Sequence, residues 1–126
     1  MNVVDSSGWL VYFANGHNAA AFAKPIEKID ELIVPSITIT EVFKRILQQR
    51  GEQPALQAIA HMNQGQVVGL DSNLAILAAK LGHELKLPLA DSIILATARQ
   101  NDATLWTQDV DFKSIAGVHF IPKHSS

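Results

Sequence analysis

Short β-branched runs alternate along this chain with longer stretches of helical periodicity. "NVVD", "LIVPS", "GQVVGLD", "ATLWTQD" and "GVHFIP" each set a few consecutive apolar residues between polar or turn-forming neighbours, the mark of buried strands. Between them, apolar positions recur three and four apart over Ser7–Ala23, Ile37–Gln49, Pro54–Asn63, Ser72–Leu85 and Leu89–Gln100, which predicts five helices. In the fourth, Leu74, Leu77, Leu81 and Leu85 share a face, with Asp71 or Ser72 placed as N-cap. "PSITITE" alternates like a strand yet runs into the helical "VFKRIL", so the helix is expected to begin between Ser36 and Thr38. "QQRGEQP" reads as a helix-to-helix turn, with Gly51 as stop and Pro54 near the next start. Strands alternating with helices predict an α/β fold: a central, mainly parallel sheet of about five strands with helices on both faces.

The length of 126 residues suits one domain, and 48% apolar against 17% charged residues is enough for one buried core. No repeat, linker or low-complexity tract interrupts it. No basic segment precedes an apolar run at the start, and no stretch approaches the roughly 18 apolar residues of a membrane span, so a soluble, unprocessed protein is expected. The absence of cysteine removes disulfides, thiolate catalysis and cysteine zinc sites, and fits a cytoplasmic location. A net charge of −2 offers nucleic acid no global attraction. Binding would need a local basic patch, for which Lys44, Arg45 and Arg50 on one helix, or Lys86, Arg99 and Lys113 elsewhere, are candidates; such residues are more often a solvated face.

The acids change this picture. Asp91 shares a helix face with Ile94, Leu95 and Ala98, and a carboxylate on an apolar stripe needs a cation, a hydrogen-bonding network or a water-filled cleft. Asp5 follows the first strand, Asp109 and Asp111 follow "ATLWT", and Glu41 lies in the first turns of the helix after "LIVP". In an open parallel sheet, ligands gather beyond the carboxyl ends of the strands, so these acids are placed to converge on one edge. Close like charges repel or take up protons unless a cation neutralises them, and all-oxygen ligation favours Mg²⁺ or Mn²⁺. Such a site suits phosphodiester hydrolysis.

Each acid also has a local explanation. Asp5 can cap the helix beginning at Ser6 or Ser7, and Glu41 can complete a capping box with Thr38 in "TITE". Asp109 and Asp111 can cap a short helix through "DVDFKSI", and Asp91 can be satisfied by local amides. Four independent caps, however, have no reason to share one sheet edge. Other chemistry has little support. His17, His61, His83, His119 and His124 are scattered without an i, i+4 pair, no glycine-rich phosphate loop occurs, and no serine has a nucleophile-elbow context. Trp9, Tyr12 and Phe13 at helical spacing, and Trp106 in its strand, read as core rather than base-stacking residues.

"VVDSSGWLVYF", "IVPSITITEVFKR", "LPLADSIILATA" and "LWTQDVDF" together resemble, in order and spacing, the motifs of PIN-domain proteins, in particular VapC-type toxins of bacterial toxin–antitoxin systems. The match spans nearly the whole chain. The resemblance implies a single PIN domain over residues 1–126 and a Mg²⁺- or Mn²⁺-dependent endoribonuclease. It puts Asp5, Glu41, Asp91 and Asp109 at the positions of an acidic quartet, Thr107 beside the metal site, and Asp111 as a fifth acid acting through water. It further implies an RNA substrate, a homodimer, and a small antitoxin whose C-terminal segment covers the cleft. One departure is Gln108, where relatives often carry a basic residue. Two other functions fit the same residues: an RNA-processing PIN nuclease without an antitoxin, and a non-catalytic nucleic-acid-binding module.

Overall fold

The computed structural model describes residues 1–123, so His124 lies outside the described residues. Five strands, β1 (Asn2–Val4), β2 (Leu32–Pro35), β3 (Gln66–Val68), β4 (Thr104–Thr107) and β5 (Val118–Phe120), form one sheet in the order β3-β2-β1-β4-β5. Every neighbouring pair is parallel, as the crossover helices require. The six helices are α1 (Ser6–Phe13), α2 (Ala19–Glu27), α3 (Ser36–Arg50), α4 (Glu52–Met62), α5 (Ser72–Leu85) and α6 (Leu89–Gln100).

Alternation along the strands divides the core in two. Val3, Ile33 and Leu105 point to one face and pack against Leu74, Ala78 and Leu81 of α5, the buried run Ile93–Ala98 of α6, and Phe112. Val4, Leu32 and Val34 point to the other and meet Trp9, Phe22, Ile26, Val42, Ile46, Ala58 and Met62 from α1 to α4. The period of two along each strand thus feeds two dry layers. The leucine stripe of α5 behaves as its spacing predicts, and the Asp71 carboxylate accepts the Leu74 N–H at 2.8 Å as its N-cap.

The stretch predicted as one helix over Ser7–Ala23 is two. α1 stops at Phe13, Asn15 takes a left-handed conformation (φ 52°), and α2 starts again at Ala19. "ANGHN" between them is turn chemistry, since Asn and Gly tolerate positive φ. The break lets α1 lie against β1 and α2, where a Cβ on Gly8 would fall 2.7 Å from both the Phe22 ring and Val4 Cγ1. Only glycine fits that approach.

The aromatic residues pack on the core as expected, to different depths. Trp9 is fully buried as expected, but Tyr12 and Phe13 are half-buried and pack edge-on with His61 of α4. Trp106 is also only half-buried: its Nε1–H donates to Asn2 Oδ1 at 2.9 Å and its ring stacks 4.1 Å from that of His119. Both sets lie where a helix or strand meets the rim of its layer, so one ring edge stays open. Among the described residues, no helix is long and apolar enough to cross a membrane.

Candidate active site

Strand order turns back at β1, so the carboxyl ends of β1 and β4 open a crevice between their outgoing segments. Val4 ends β1 and Asp5 follows; Thr107 ends β4 and Asp109 comes two residues later. Glu41 reaches the same crevice from the second turn of α3 and Asp91 from the first turn of α6. All four line one cleft of about 300 Å³, with Ser6, Ser7, Leu10, Arg45 and Ile94 in its walls.

Asp5 is buried and well supplied with donors. The Thr107 hydroxyl donates to Oδ2 at 2.6 Å, the Ser7 hydroxyl contacts both oxygens at 2.9 and 3.0 Å, and the Gly8 N–H donates to Oδ1 at 2.9 Å. Asp5 therefore caps α1 and faces the cleft at once. Thr107, itself buried, also accepts the Asp109 N–H at 2.9 Å, so one hydroxyl ties the two strand-end acids together. Burial, with some help from the Asp109 charge, still pushes the Asp5 carboxyl up to about 6 against the pull of those donors.

Asp91 is the opposite case. No donor among the described residues reaches its half-buried carboxylate. Burial first, and then the charges of Asp109, Asp5, Asp111 and Glu41, push it up to about 7. One carboxylate oxygen from each of Asp91, Asp109 and Asp111 lies within 4.8 Å of the others. At that spacing three carboxylates share a cation or take up protons, and an all-oxygen set suits a hard divalent cation. The triad can therefore hold a divalent metal.

The local explanations fare unequally. No Thr38–Glu41 capping box forms, because α3 begins at Ser36 and the Thr38 hydroxyl donates back to the Pro35 carbonyl at 2.7 Å. The Glu41 carboxylate instead accepts from the Ser6 hydroxyl at 2.6 Å, across to α1. Asp109 does cap the short turn Val110–Phe112, accepting the Asp111 N–H at 2.9 Å. Asp111 is exposed and belongs to the tight triad, which includes neither Asp5 nor Glu41. That spacing places Asp111 beside Asp91 and Asp109.

Sequence reasoning missed the two hydroxyls that orient the acids. Ser6 and Ser7 directly follow Asp5, and hydroxyls at the first helical positions after a strand-end acid were the available signal. Arg45, read as part of a basic patch, lines the cleft because it stands four residues after Glu41 on the same helix face. The other proposed cations are engaged elsewhere or lie apart: Arg99 bonds the Ala116 carbonyl at 3.4 Å and Lys113 sits 5.9 Å over the Phe120 ring, while Lys86 terminates α5. No described histidine lines the cleft.

The PIN domain family profile matches residues 3–118. Among solved structures, a toxin–antitoxin complex from Klebsiella pneumoniae shares 25% identity, covering 96% of this chain and 100% of that one with a TM-score of 0.79. DNA-bound VapBC from Salmonella typhimurium is 15% identical over 98% of this chain and 100% of that one, TM-score 0.73. FitAcB from Neisseria gonorrhoeae is 23% identical over 99% and 100%, TM-score 0.65. No curated protein sequence matches.

Proposed function

The chain belongs to the PIN-domain family, and from that premise we propose that it is a Mg²⁺- or Mn²⁺-dependent endoribonuclease, the toxin of a cytoplasmic toxin–antitoxin pair. The observation that carries this reading is Asp91, a half-buried carboxylate that no described donor reaches and that faces four other acids. Such a group is unfavourable alone and favourable around a cation. Residues 1–126 act as a single domain, restrained by an antitoxin by analogy with the toxin–antitoxin complex from Klebsiella pneumoniae, and a homodimer is the assembly that the sequence resemblance implies.

Asp91, Asp109 and Asp111 are assigned to hold the metal. Asp5 and Glu41, facing the same cleft, would add two carboxylates to that site. A bound Mg²⁺ or Mn²⁺ lowers the pKa of a ligated water and offsets charge that develops on a phosphoryl group. Thr107 and Ser7 keep Asp5 fixed, so this carboxylate needs no reorganisation when substrate arrives. Ser6 aims one Glu41 oxygen, leaving the other to orient the attacking water and accept its proton. In-line attack forms the new O–P bond and breaks the bond to the 3′ oxygen, which takes up a proton; the products carry 5′-phosphate and 3′-hydroxyl ends.

The test is incubation of total bacterial RNA with purified, antitoxin-free protein in Mg²⁺, Mn²⁺ and EDTA. Discrete fragments that need metal are expected. RNA binding without cleavage under any of these conditions would favour a binding module, and the absence of a short antitoxin gene beside this one would favour an RNA-processing nuclease.

A further inference from the structure

Three hollows on the α1–α4 face run into one another, and an arginine stands at each junction. The acid cleft shares Ser7, Leu10 and Arg45 with a hollow of about 340 Å³ between α1 and α3. That hollow shares Phe13, Ile46 and Arg50 with a third of about 280 Å³, bounded by Gln57 and His61 of α4. The result is a continuous trough leading away from the acids.

Arg45 and Arg50 are exposed, and neither is ion-paired with a described residue. Both line the middle hollow, Arg45 at its junction with the acid cleft and Arg50 at its junction with the third hollow. Between them the trough is apolar, with Leu10, Val11 and Ile46 in its walls, and the Phe13 ring borders the second and third hollows. A fitting occupant carries anions for the two arginines and flat apolar groups for the walls between them, which describes a single-stranded nucleic acid. The cleft at the head of the trough is also where a phosphodiester has to be presented.

We propose that this trough carries the RNA strand on one side of the scissile bond, with Arg45 and Arg50 each holding a phosphate and Phe13 offering a face to a base. The inference rests on the nuclease reading of the adjoining cleft and adds residues that position the substrate. Both arginines are exposed, so their loss should leave the melting temperature unchanged.

The test is fluorescence anisotropy of a fluorescein-labelled single-stranded oligoribonucleotide of mixed sequence, measured in EDTA over a range of salt concentrations. Arg45→Ala and Arg50→Ala should each lower the slope of log affinity against log salt by about 0.7, and the double variant by twice that. The corresponding lysine variants should restore the slope, because the phosphate contact needs charge. On an RNA that the wild type cleaves with Mg²⁺, the alanine variants should raise KM with little change in kcat. Unchanged slopes and KM would overturn the trough. So would variants that keep RNA binding but lose a fluorescein-labelled glutamate-rich peptide, which would make it a peptide site. A wild type that binds the RNA but cleaves none in Mg²⁺ or Mn²⁺ would remove the nuclease reading instead, and the salt slopes alone would then decide the trough.

Discussion

On the β1 side of the cleft Asp5 receives hydrogen bonds from Thr107, Ser7 and Gly8, whereas on the α6 side Asp91 receives none from a described residue and faces four other carboxylates. The two walls carry the same functional group in opposite states. The first is assembled by the fold alone, its donors fixing the carboxylate whether or not a cation is present. The second is left electrostatically unfavourable by the fold when ionised, and is relieved by a proton or by a cation. A site made only of the first kind would be rigid and indifferent to metal; one made only of the second would lack a fixed geometry.

The largest expected effect comes from breaking the unfavourable wall. Asp91→Asn keeps the shape and removes the charge, so cleavage should fall by at least about 100-fold, or about 2.7 kcal/mol of barrier. The metal-free melting temperature should hold or rise, since a like charge has gone. A rate beside a melting curve reads both, and a folded, active variant would remove Asp91 from the site.

Thr107→Val attacks the other wall. It deletes the 2.6 Å bond to buried Asp5 and leaves that oxygen under-satisfied, which should cost about 1–3 kcal/mol in urea unfolding. Activity should fall about tenfold through loss of positioning. If stability fell while cleavage stayed at the wild-type rate, Asp5 would be a cap and no more.

Titration sharpens the contrast. Asp5 and Asp91 have carboxyls raised from the ordinary 3.8 to about 6 and about 7, so between these values the folded chain holds more protons than the unfolded one. Their contribution to stability is complete below the unfolded value and is lost as pH rises through the folded ones. The metal-free melting temperature should therefore decline from about pH 5 to pH 8, and Mg²⁺ should recover more of it at pH 8 than at pH 5. Equal Mg²⁺ shifts at both pH values would argue against carboxylates as its ligands. The smallest effect is expected from Asp111→Asn: it is the exposed member of the triad, so metal affinity should weaken only a few-fold in a Mn²⁺ titration.

What the sequence revealed follows the same division. α5 and α6 have the predicted bounds to the residue, because α5 carries a one-sided apolar stripe with a clear cap and α6 a continuous apolar run opened by Pro88. α1 and α2 merged in the sequence reading because apolar periodicity continues on both sides of "ANGHN", hiding a turn whose Asn15 and Gly16 were in view. The acids were legible as strand-end residues, since topology alone brings such positions together. Their supports were not: that Ser6 serves Glu41 rather than its own helix depends on how α1 crosses α3, which no local pattern encodes. The half-open rings of Tyr12, Phe13 and Trp106 escaped for a related reason, as periodicity shows which face is covered but not how far the cover extends.

The most direct test of the account is calorimetric titration of Mn²⁺ into metal-free protein at about pH 7, with wild type beside Asp91→Asn. Saturable binding with proton release in the wild type, and markedly weaker binding with less proton release in the variant, is the predicted result. Binding equally tight in both proteins, or none in the wild type, would contradict the assignment of the acid cleft as a metal centre.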